Sequence, residues 1–393
     1  MDKAVVTDGR LRVAVTIIRS LGSMGVSTAS AEAADVLNLG FYSKFASEKI
    51  ELPKGSHTAL SLADVSVLVD AAAGGVVVPV FTPFVSLLSK HRAQYSNRAK
   101  FLVPPYDSLM QAHDKEACYR IATDLGIPAP STRFPREEGV DPQDPGALQE
   151  WARDLAYPVI VKYRSGEDMG LSAAERFAIC RDPVEVARVY PGMDRKQPNP
   201  LIQDYVEGED WGAALLYDAE SRPAASFTYR SLRQKPMEAG PTVYAESAAA
   251  PELIEYSRML LSRLKWQGMA MLDFRRDREG KFHLLEVNPR FWGSMALANL
   301  AGVDFARAYY NACIGSQMPV AEQRDGMRIR FFPQDFASIP AYARESRSRL
   351  GYVASAALEL MNPFLRDGLF QVRDPLPGLM YLVGGLHKRH ARN

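Results

Sequence analysis

The strongest constraint on the fold comes from residues 268–290, GMAMLDFRRDREGKFHLLEVNPR, in which two apolar runs of strand length flank a polar turn. Turn residues at Asp277–Gly280 between two such runs are typical of a β-hairpin. The second run begins as a mainly apolar segment, yet it ends in Glu286, Asn288 and Arg290. A chain that places such a strand in its interior needs a partner for these polar and charged ends.

Strand geometry predicts where these side chains lie. Glu286 and Asn288 share one face, because side chains alternate along a strand. If Arg276 pairs with Lys281 across a four-residue turn, Asp273 joins that face one pair away, at about 7–8 Å between Cβ atoms. A change of one residue in the turn would direct Asp273 to the other face, so the register is itself a prediction.

Two carboxylates and an amide on one face predict a bound cation. Carboxylates gathered in an apolar sheet repel one another and are costly to bury without one. Mg²⁺ suits them because it prefers oxygen and takes one or two carboxylates together with phosphate oxygens and water. Pro289 ends the strand pairing, because proline has no backbone N–H to donate. Arg290 follows, and its planar guanidinium group can hold a carboxylate or a phosphate. The alternative is a hairpin with solvated acids, and the full pattern from D-F to N-P-R-x-x-G-S favours a functional site.

Composition excludes several classes of protein. The chain has 393 residues, of which 47% are hydrophobic and 24% charged, as expected for a folded chain of two or three domains. Its net charge of +1 gives no indication of nucleic-acid or membrane binding. Cys118, Cys180 and Cys313 lie far apart, which argues against a disulfide framework or a zinc site and favours a reducing, cytoplasmic location. The opening MDKAVVTDGR is charged where a signal peptide would be apolar.

The N-terminal hundred residues alternate between strand and helix patterns. KAVVT predicts a buried strand, DGR a turn in which Asp8 caps the next helix, and RLRVAVTIIRSLGSMG that helix. VSTAS and VVVPVF predict further strands, so a Rossmann-like, open parallel sheet is expected. The absence of GxGxxG in the first turn argues against a dinucleotide cofactor. The apolar segment Val65–Leu88 contains Asp70, two adjacent glycines and two prolines, which predicts a strand, a turn and a buried strand instead of a transmembrane span.

The middle of the chain carries further element signals. The pattern predicts a helix within 114–132 that stops at Gly126, a buried strand that ends at Lys162, and a strand–turn–strand unit over 199–218. After about Gly315 the pattern weakens, and the tail is expected to be helical in places. Its apolar run LPGLMYLVGGLHKR could lie on a membrane surface, but packing against its own protein is the stronger expectation.

The segments GMAMLDF and LLEVNPRFWGS together resemble the metal-binding end of the ATP-grasp superfamily, particularly the branch with biotin carboxylase and the carbamoyl-phosphate synthase large chain. The resemblance covers roughly residues 5–315. It implies that Asp273, Glu286 and Asn288 are metal ligands, with Glu286 bridging two Mg²⁺ ions for which Mn²⁺ is a candidate substitute. It also implies that Arg290 contacts the transferred phosphoryl group or the substrate carboxylate.

The resemblance implies a mixed α/β and α+β fold in four parts. A Rossmann-like pre-ATP-grasp domain would span 1–110, and the small lobe of a two-lobed ATP-grasp domain 111–199. The large lobe with the metal site would span 200–318. Residues 319–393 would form a C-terminal helical extension, a candidate dimer contact, lid or platform for the second substrate.

The resemblance also assigns residues to ATP. Lys115, which opens a helix after Asp114, and Lys162, which ends the strand PVIVK, match the two phosphate-binding lysines of the family. Lys162 is the more informative of the two, because a buried strand rarely ends in an unpaired cation.

The stretch LIQDYVEGED resembles the hinge between the two ATP-grasp lobes. The resemblance implies that adenine is held by the Gln203 side chain and by main-chain groups that follow it, including those of Asp204 and Val206. It implies that Asp210 binds the ribose hydroxyls.

Two departures from the family pattern stand out. The loop RSGEDMG has Gly166 and one further glycine where relatives are glycine-dense, so it is either less mobile or uses its acids on a cationic substrate or a metal. In YRSLRQKPMEAGPT, Arg233 fits the position of a catalytic arginine, but Ala239 replaces the first of two expected glycines. Arg230 and Lys235 are alternatives for that role.

The implied chemistry is carboxylate activation by Mg·ATP to an acylphosphate, which an amine converts to an amide. Such a reaction depends on positioning and charge neutralisation more than on a general base, and the sequence shows no His, Cys or Ser triad. We expect a small-molecule carboxylate, such as an amino acid, and an amine as substrates, with no nucleic-acid partner. The alternatives are activation of bicarbonate, as in the named relatives, and a nucleotide-binding module without turnover.

Overall fold

The structure is a computed structural model that describes residues 3–165, 169, 171, 175–237, 240–316, 319, 321–360 and 365–390. The chain forms two compact units. Unit 1 combines the residues up to Leu109, Gly212–Met271 and the residues from Asn288 onwards. Unit 2 combines Met110–Trp211 and Leu272–Val287.

The strands are, in chain order, β1 (Lys3–Val6), β2 (Ser27–Ala33), β3 (Glu48–Leu52), β4 (Val76–Val78), β5 (Thr132–Arg133), β6 (Val159–Lys162), β7 (Phe177–Cys180), β8 (Leu201–Asp204), β9 (Gly208–Tyr217), β10 (Pro223–Gln234), β11 (Thr242–Ser247), β12 (Gly268–Asp277), β13 (Phe282–Asn288), β14 (Arg328–Arg330) and β15 (Arg366–Asp367). The helices are α1 (Arg12–Ser23), α2 (Leu62–Ala71), α3 (Thr82–Lys90), α4 (Arg92–Tyr95), α5 (Tyr106–His113), α6 (Lys115–Asp124), α7 (Pro145–Trp151), α8 (Pro183–Lys196), α9 (Pro251–Arg263), α10 (Ala296–Leu300), α11 (Phe305–Ile314), α12 (Gln334–Glu345), α13 (Arg349–Leu360) and α14 (Leu376–His390).

Unit 1 begins with the expected open parallel sheet. Its strand order is β3-β2-β1-β4, and each neighbouring pair is parallel. Helix α1 packs on this sheet because Val13, Ile17 and Leu21 recur at helical spacing and are buried. The predicted N-terminal cap by Asp8 is wrong. Leu11 holds the cap position without a side-chain hydrogen bond, because Asp8 lies three residues too early in the chain.

The segment Val65–Leu88 also differs from its prediction. Its first part belongs to α2, not to a strand, and only Val76–Val78 is a buried strand, after which α3 begins. Ser61 and Asp64 form a capping box in which each side chain accepts from the other residue's backbone N–H. This reciprocal cap stabilises the first turn, and the apolar run then packs as a helix face.

A long sheet follows with the strand order β13-β12-β9-β10-β11-β14-β15. Strands β14 and β15 come from the C-terminal segment, so the tail contributes strands as well as helices α12 to α14. Neighbouring residues of β11 and β14 pair antiparallel, with Ala245 opposite Ile329. The core of unit 1 includes the large buried side chains of Phe227, Trp292 and Phe305.

Unit 2 contains the antiparallel sheet β5-β8-β6-β7 with α7 and α8 among its helices. The hydrophobic core includes Val159, Val161 and Tyr190, which have no exposed surface. Helix α6 ends as predicted near Gly126, whose φ of +70° suits glycine. Of the helices that the structure describes, none combines the length and hydropathy needed to cross a bilayer.

Candidate active site

An ion pair joins two predicted site residues, Lys115 and Glu286, within unit 2. Lys115 is the first residue of α6, and Asp114 caps that helix by accepting from the N–H groups of Glu116 and Ala117. The Lys115 Nζ atom lies 3.3 Å from Oε2 of Glu286 on β13. A predicted phosphate-binding lysine and a predicted metal ligand therefore lie side by side.

Lys162 is connected to the same strand through a tyrosine. Val159 and Val161 of β6 point into the core, and alternation leaves Lys162 half-buried at the end of the strand. Its Nζ atom donates to the hydroxyl oxygen of Tyr119, 2.8 Å away, and that hydroxyl donates to the main-chain oxygen of Leu285. One hydrogen-bond path thus connects Lys162 through Tyr119 of α6 to β13, where it ends next to Glu286.

The electrostatics of this cluster favour an anionic ligand. Burial, together with the charge of Lys115, lowers the pKa of Lys162 to about 7, although Glu286 and Cys118 act in the opposite direction. Burial raises the pKa of Tyr119 far above its usual value, so its hydroxyl remains protonated and can donate. A buried ammonium is costly without counter-charge, and phosphate oxygens would supply it.

The segment after Lys162 is held by a separate ion-pair group. Arg164 pairs with Asp114 and lies 3.2 Å, from Nη1 to Oε2, from Glu116. This contact ties the start of the loop to the beginning of α6. The predicted phosphate-loop residue Gly166 lies outside the described residues.

The predicted adenine-binding hinge lies at β8 and the turn to β9. Gln203 is buried, and its Nε2 donates to Thr132 Oγ1 at 2.8 Å. The Asp204 N–H donates to the main-chain oxygen of Ser131 at 3.0 Å, as part of the sheet edge. Burial raises the pKa of the Asp204 carboxyl.

The end of the hinge contacts an arginine of β12. Nη1 of Arg275 donates to the main-chain oxygen of Val206 at 3.3 Å, and its Nε lies 2.7 Å from Oδ1 of Asp210. The predicted ribose ligand Asp210 is therefore paired with Arg275 in this structure. Arg275 fixes the turn between β8 and β9 onto the hairpin.

The predicted hairpin is present, but its register prediction is wrong. The Gly280 N–H donates to Asp277 O at 3.1 Å, and the Asp277 N–H donates to Lys281 O at 2.9 Å. Lys281 is thus paired with Asp277, not with Arg276, because Gly280 adopts φ of +88° and forms a bulge. If the strands pair regularly from Asp277 and Lys281 onwards, Asp273 lies opposite residue 285. Strand alternation alone therefore does not place Asp273 on the same face as Glu286.

The last residues of the motif belong to unit 1. Asn288 is buried, and its Oδ1 accepts from Nη2 of Arg290 at 3.2 Å. Arg290 also donates through Nη1 to Phe291 O at 3.2 Å, and its guanidinium lies 5.2 Å from the centre of the Phe81 ring. These contacts orient the arginine from both the end of β13 and the residue that precedes α3 in the same unit.

Arg233 is held by the C-terminal segment. Its Nε and Nη2 atoms lie 2.6 and 3.1 Å from the two oxygens of Asp335, and its Nη1 lies 3.1 Å from Glu359. The guanidinium also stacks on Tyr244, 4.2 Å from the ring centre. The alternative Arg230 is likewise paired, with Glu246 at 2.6 Å. These contacts give Arg233 a role in joining β10 to α12.

The chemistry of the predicted donors suits a metal that also takes ligand oxygens. Across the residues that the structure describes, no three His, Cys, Asp or Glu side chains gather as a metal site by themselves. Of the predicted ligands, Asp273 and Glu286 belong to unit 2 and Asn288 to unit 1. Carboxylate and amide oxygens suit Mg²⁺, which would complete its shell with phosphate oxygens and water. The carboxylate of Glu286 is 40% exposed and can accept such an ion.

Two residues of this cluster were not predicted from the sequence. Tyr119 lies four residues after Lys115 on α6, so helical spacing alone places it on the lysine's face. Arg275 lies two residues after Asp273, on the same side of β12 by alternation. Both positions could have been found by extending the search from each predicted ligand to its neighbours on the same face.

Comparison with known proteins finds relatives of this chain. A family model described as "ATP-grasp in the biosynthetic pathway with Ter operon" matches residues 201–334. The chain is 30% identical over 189 residues to a D-alanine–D-alanine ligase of Halorhodospira halophila, covering 44% of this chain and 55% of the relative. It is 24% identical over 238 residues to the carbamoyl phosphate synthase large chain of Thermus thermophilus, covering 58% of this chain and 22% of the relative.

A solved structure extends the likeness over most of the chain. The biotin carboxylase domain of Hydrogenobacter thermophilus 2-oxoglutarate carboxylase, in complex with MgADP, ADP and bicarbonate, aligns with a TM-score of 0.63. The identity is 16%, and the alignment covers 84% of this chain and 73% of that chain. The fold of this chain is that of the ATP-grasp type, and the family match itself covers residues 201–334. The predicted fold class, α/β and α+β of the ATP-grasp type, is confirmed. The chain spans about half or less of the length of the curated relatives it matches.

Proposed function

We propose that this ATP-grasp chain is an ATP-dependent carboxylate–amine ligase that acts on small molecules. One observation carries the proposal: within unit 2, Lys115 lies 3.3 Å from Glu286, and Lys162 is linked through Tyr119 to the neighbouring Leu285. Two lysines, one paired with Glu286 and the other linked to the residue before it on β13, form a set suited to a nucleoside triphosphate and its metal.

The remaining predicted residues take roles by analogy with the superfamily. The phosphates would be held by Lys115 and Lys162. The Mg²⁺ ions would be held by Asp273, Glu286 and Asn288. The charge of these ions would stabilise the transferred phosphoryl group. For the nucleoside, the candidate residues are Gly166, Gln203, Asp204, Val206 and Asp210. Arg290 would hold the substrate carboxylate or the phosphoryl group.

The proposed reaction has two displacements. An oxygen of the substrate carboxylate attacks the γ-phosphorus of ATP, the bond to the β-phosphate oxygen breaks, and ADP leaves. The amine nitrogen then attacks the acyl carbon, the carbon–oxygen bond to phosphate breaks, and the amine proton is lost to phosphate or solvent. The chain's lysines and Arg290 orient and neutralise the anionic groups, which is the main requirement of phosphoryl transfer.

The cysteine near the lysines is not suited to covalent catalysis. Burial raises the pKa of Cys118 to about 12, so its thiol stays protonated at neutral pH. An acylphosphate pathway, which needs no thiolate, agrees better with this environment.

The test is amine-dependent ADP release across pairs of carboxylates and amines, with mass spectrometry of the product. Glu286→Gln should lower turnover at least 100-fold, because it removes a carboxylate charge next to the phosphates. Glu207→Gln, at an exposed glutamate of the same unit, is the matched control and should keep activity. Undiminished amine-dependent turnover in Glu286→Gln would refute the proposal.

Activation of bicarbonate is the second candidate. It is favoured by the likeness to a biotin carboxylase domain solved with bicarbonate and to a carbamoyl phosphate synthase. ADP release that depends on bicarbonate and not on any other carboxylate would select this function. Nucleotide binding without turnover in either assay would select a binding module.

A further inference from the structure

Helix α14 has one side packed on unit 1 and another side exposed to solvent. Met380 and Tyr381 pack against a small buried apolar cluster of the same unit. On the other side, Leu376 and Leu379 lie three positions apart and are 53% and 50% exposed. Val372, in the loop that leads into the helix, is 98% exposed. Packing within the unit therefore leaves an apolar surface exposed, which we call the α14 stripe: Val372, Leu376 and Leu379.

Helix α13 is divided in the same way. Its Ala356 is buried, and its Tyr352 stacks on Tyr342 of α12 with the ring centres 6.4 Å apart. The opposite side has three exposed apolar residues at positions i, i+3 and i+8 of one helix face. We call these residues the α13 stripe: Leu350, Val353 and Leu358.

The exposed apolar side chains of the molecule are concentrated in this segment. Of the twelve large apolar side chains that are exposed in the described part of the chain, seven lie between residues 350 and 383. Single exposed apolar residues are common on proteins, whereas such a concentration indicates a binding surface. None of the twelve is aromatic. Protein interfaces rely mainly on Trp, Tyr and Arg, so a purely aliphatic surface is a poor match for a protein partner.

Exposed arginines lie next to both stripes in the chain. Arg347 and Arg349 immediately precede the α13 stripe. Arg366 on β15 and Arg373 beside Val372 precede α14. The two apolar stripes are therefore each accompanied by positive charge that faces solvent.

The acidic residues of this segment are directed into the protein. From the first of these arginines to the end of the α14 stripe there are three, and each has partners within unit 1. Glu359 lies 3.1 Å from Nη1 of Arg233, and Asp367 accepts two main-chain N–H groups at 2.8 Å. Asp374 is buried in its ion pair with Arg19. The charge that remains on the outer surface of the segment is positive.

An anionic lipid surface matches both the aliphatic stripes and the arginines. Helices that lie in the membrane interface place an apolar face at the boundary of the acyl chains and basic residues at the headgroups. Anionic lipids attract such basic segments. A second copy of this chain is a poorer match, because a symmetric contact would set the same arginines against one another.

We propose that the C-terminal part of unit 1 docks on an anionic lipid surface through the α13 and α14 stripes. The aliphatic side chains enter the interface, and the exposed arginines contact the headgroups. The docking surface uses none of the nucleotide or metal residues, so it goes beyond the proposed ligase chemistry.

The test is flotation of the full chain with vesicles of phosphatidylcholine, either alone or with about 30% phosphatidylserine. Wild-type protein should bind the anionic vesicles about tenfold more tightly, and the difference should shrink as the salt concentration rises. Leu376→Ser combined with Leu379→Ser should weaken binding about tenfold, because the aliphatic contact is lost. Leu62→Ser combined with Val67→Ser removes two exposed apolar side chains from α2 of the same unit and should bind as the wild type.

The contribution of charge is tested separately. Arg347→Gln combined with Arg373→Gln should weaken binding to the anionic vesicles and leave binding to pure phosphatidylcholine unchanged. Arg258→Gln combined with Arg263→Gln removes the same charge from exposed positions of α9 and is the matched control. Equal losses in the two arginine variants would contradict a role for the arginines beside the stripes.

Urea unfolding of every variant verifies that the fold is kept, and no readout depends on ligase turnover. Failure of this proposal is therefore distinct from failure of the proposed function. Equal binding to the two kinds of vesicle, unchanged binding in the Leu376→Ser, Leu379→Ser variant, or no binding by folded wild type would overturn it. Sedimentation equilibrium tests the other occupant. A dimer that this variant abolishes, without vesicle binding, would assign the stripes to a second copy and would also overturn the proposal.

Discussion

At the scale of single residues, Lys162 shows how burial prepares a side chain for a ligand. Desolvation and the neighbouring Lys115 lower its pKa to about 7, so near neutral pH the lysine is only partly protonated. Its one described hydrogen-bond partner, Tyr119, is a neutral hydroxyl. Phosphate oxygens would favour the charged form, so nucleotide binding and protonation of Lys162 should be coupled.

The first prediction concerns this coupling. Above pH 7 the free protein has Lys162 largely neutral, and the nucleotide complex has it charged, so binding at pH 8 should take up about one proton. Affinity for MgADP should therefore fall as pH rises from 7 to 9. Calorimetry at pH 8 in buffers of different ionisation enthalpy measures the uptake directly.

Arginine substitution provides the control for that experiment. Lys162→Arg should bind MgADP without proton uptake, since a guanidinium stays charged throughout this range. Lys196→Arg, at an exposed position of α8, should behave as the wild type. Proton uptake that persists in Lys162→Arg would assign the coupling to another group.

At the scale of elements, Tyr119 joins three pieces of secondary structure. It lies on α6, accepts from Lys162 at the end of β6 and donates to Leu285 of β13. Tyr119 therefore fixes the position of the Lys162 side chain relative to β13, the strand that contains Glu286. Tyr119 acts on Lys162 and Leu285 and is a positioning residue, not one of the proposed ligand contacts.

The second prediction tests this positioning. Tyr119→Phe keeps the ring but leaves Lys162 and the Leu285 carbonyl without a partner, so stability should fall by about 1–3 kcal/mol. MgADP affinity should fall several-fold. Its decline with pH should move to lower pH, because the lysine loses a hydrogen bond that stabilises its charge. Binding isotherms over pH 6–9 provide the measurement.

Tyr190→Phe is a matched control in the same unit. Tyr190 is also buried, and its hydroxyl donates to the main-chain oxygen of Pro200 at 2.8 Å. Its loss should cost similar stability and leave the pH dependence of nucleotide binding unchanged. If both variants alter the pH profile equally, the Tyr119 effect is a general loss of stability.

At the scale of the whole molecule, the C-terminal segment is anchored in the N-terminal part of unit 1. Nε of Arg19 on α1 lies 2.8 Å from Oδ2 of Asp374, and its other nitrogens donate to the main-chain oxygens of Leu369 and Asp374. Asp374 also accepts from Ser43 Oγ and the Lys44 N–H. Both partners of the ion pair are almost fully buried, so each depends on the other.

The third prediction follows from that dependence. Asp374→Ala leaves the Arg19 guanidinium buried without its carboxylate and should lower the free energy of unfolding by about 3–5 kcal/mol. Glu220→Ala, which removes an exposed partner of Arg222, should cost less than about 1 kcal/mol. Urea unfolding curves measure both, and equal losses in the two variants would contradict the proposed anchor.

The same carboxylate has a pH signature. Burial acts to raise the pKa of Asp374, but the hydrogen bonds from Arg19, Lys44 and Ser43 leave it below the usual value. A depressed pKa contributes stability above the unfolded pKa of about 4, and that stability is lost as pH falls through the folded value. As pH falls through this range, the free energy of unfolding should therefore decrease less in Asp374→Asn than in the wild type.

Several features followed from the sequence because their causes are local. The helix that starts at Lys115 after Asp114, the strand that ends at Lys162 and the hairpin around Asp277 are set by caps, alternation and turn residues within a few positions. Lys115 and Glu286 were each named from the sequence, but the contact between them is known only from the structure. These signals are readable because each depends on near neighbours in the chain.

Other features were decided by tertiary structure. An apolar run near Val65 became a helix because its capping box and packing suited one, although short apolar runs fit either element. One bulge at Gly280 changed the hairpin register. The partners of Arg233 and Arg19 lie more than a hundred residues away, and no local pattern specifies them. Periodicity determines what a segment forms, whereas packing between distant segments determines which side chains meet.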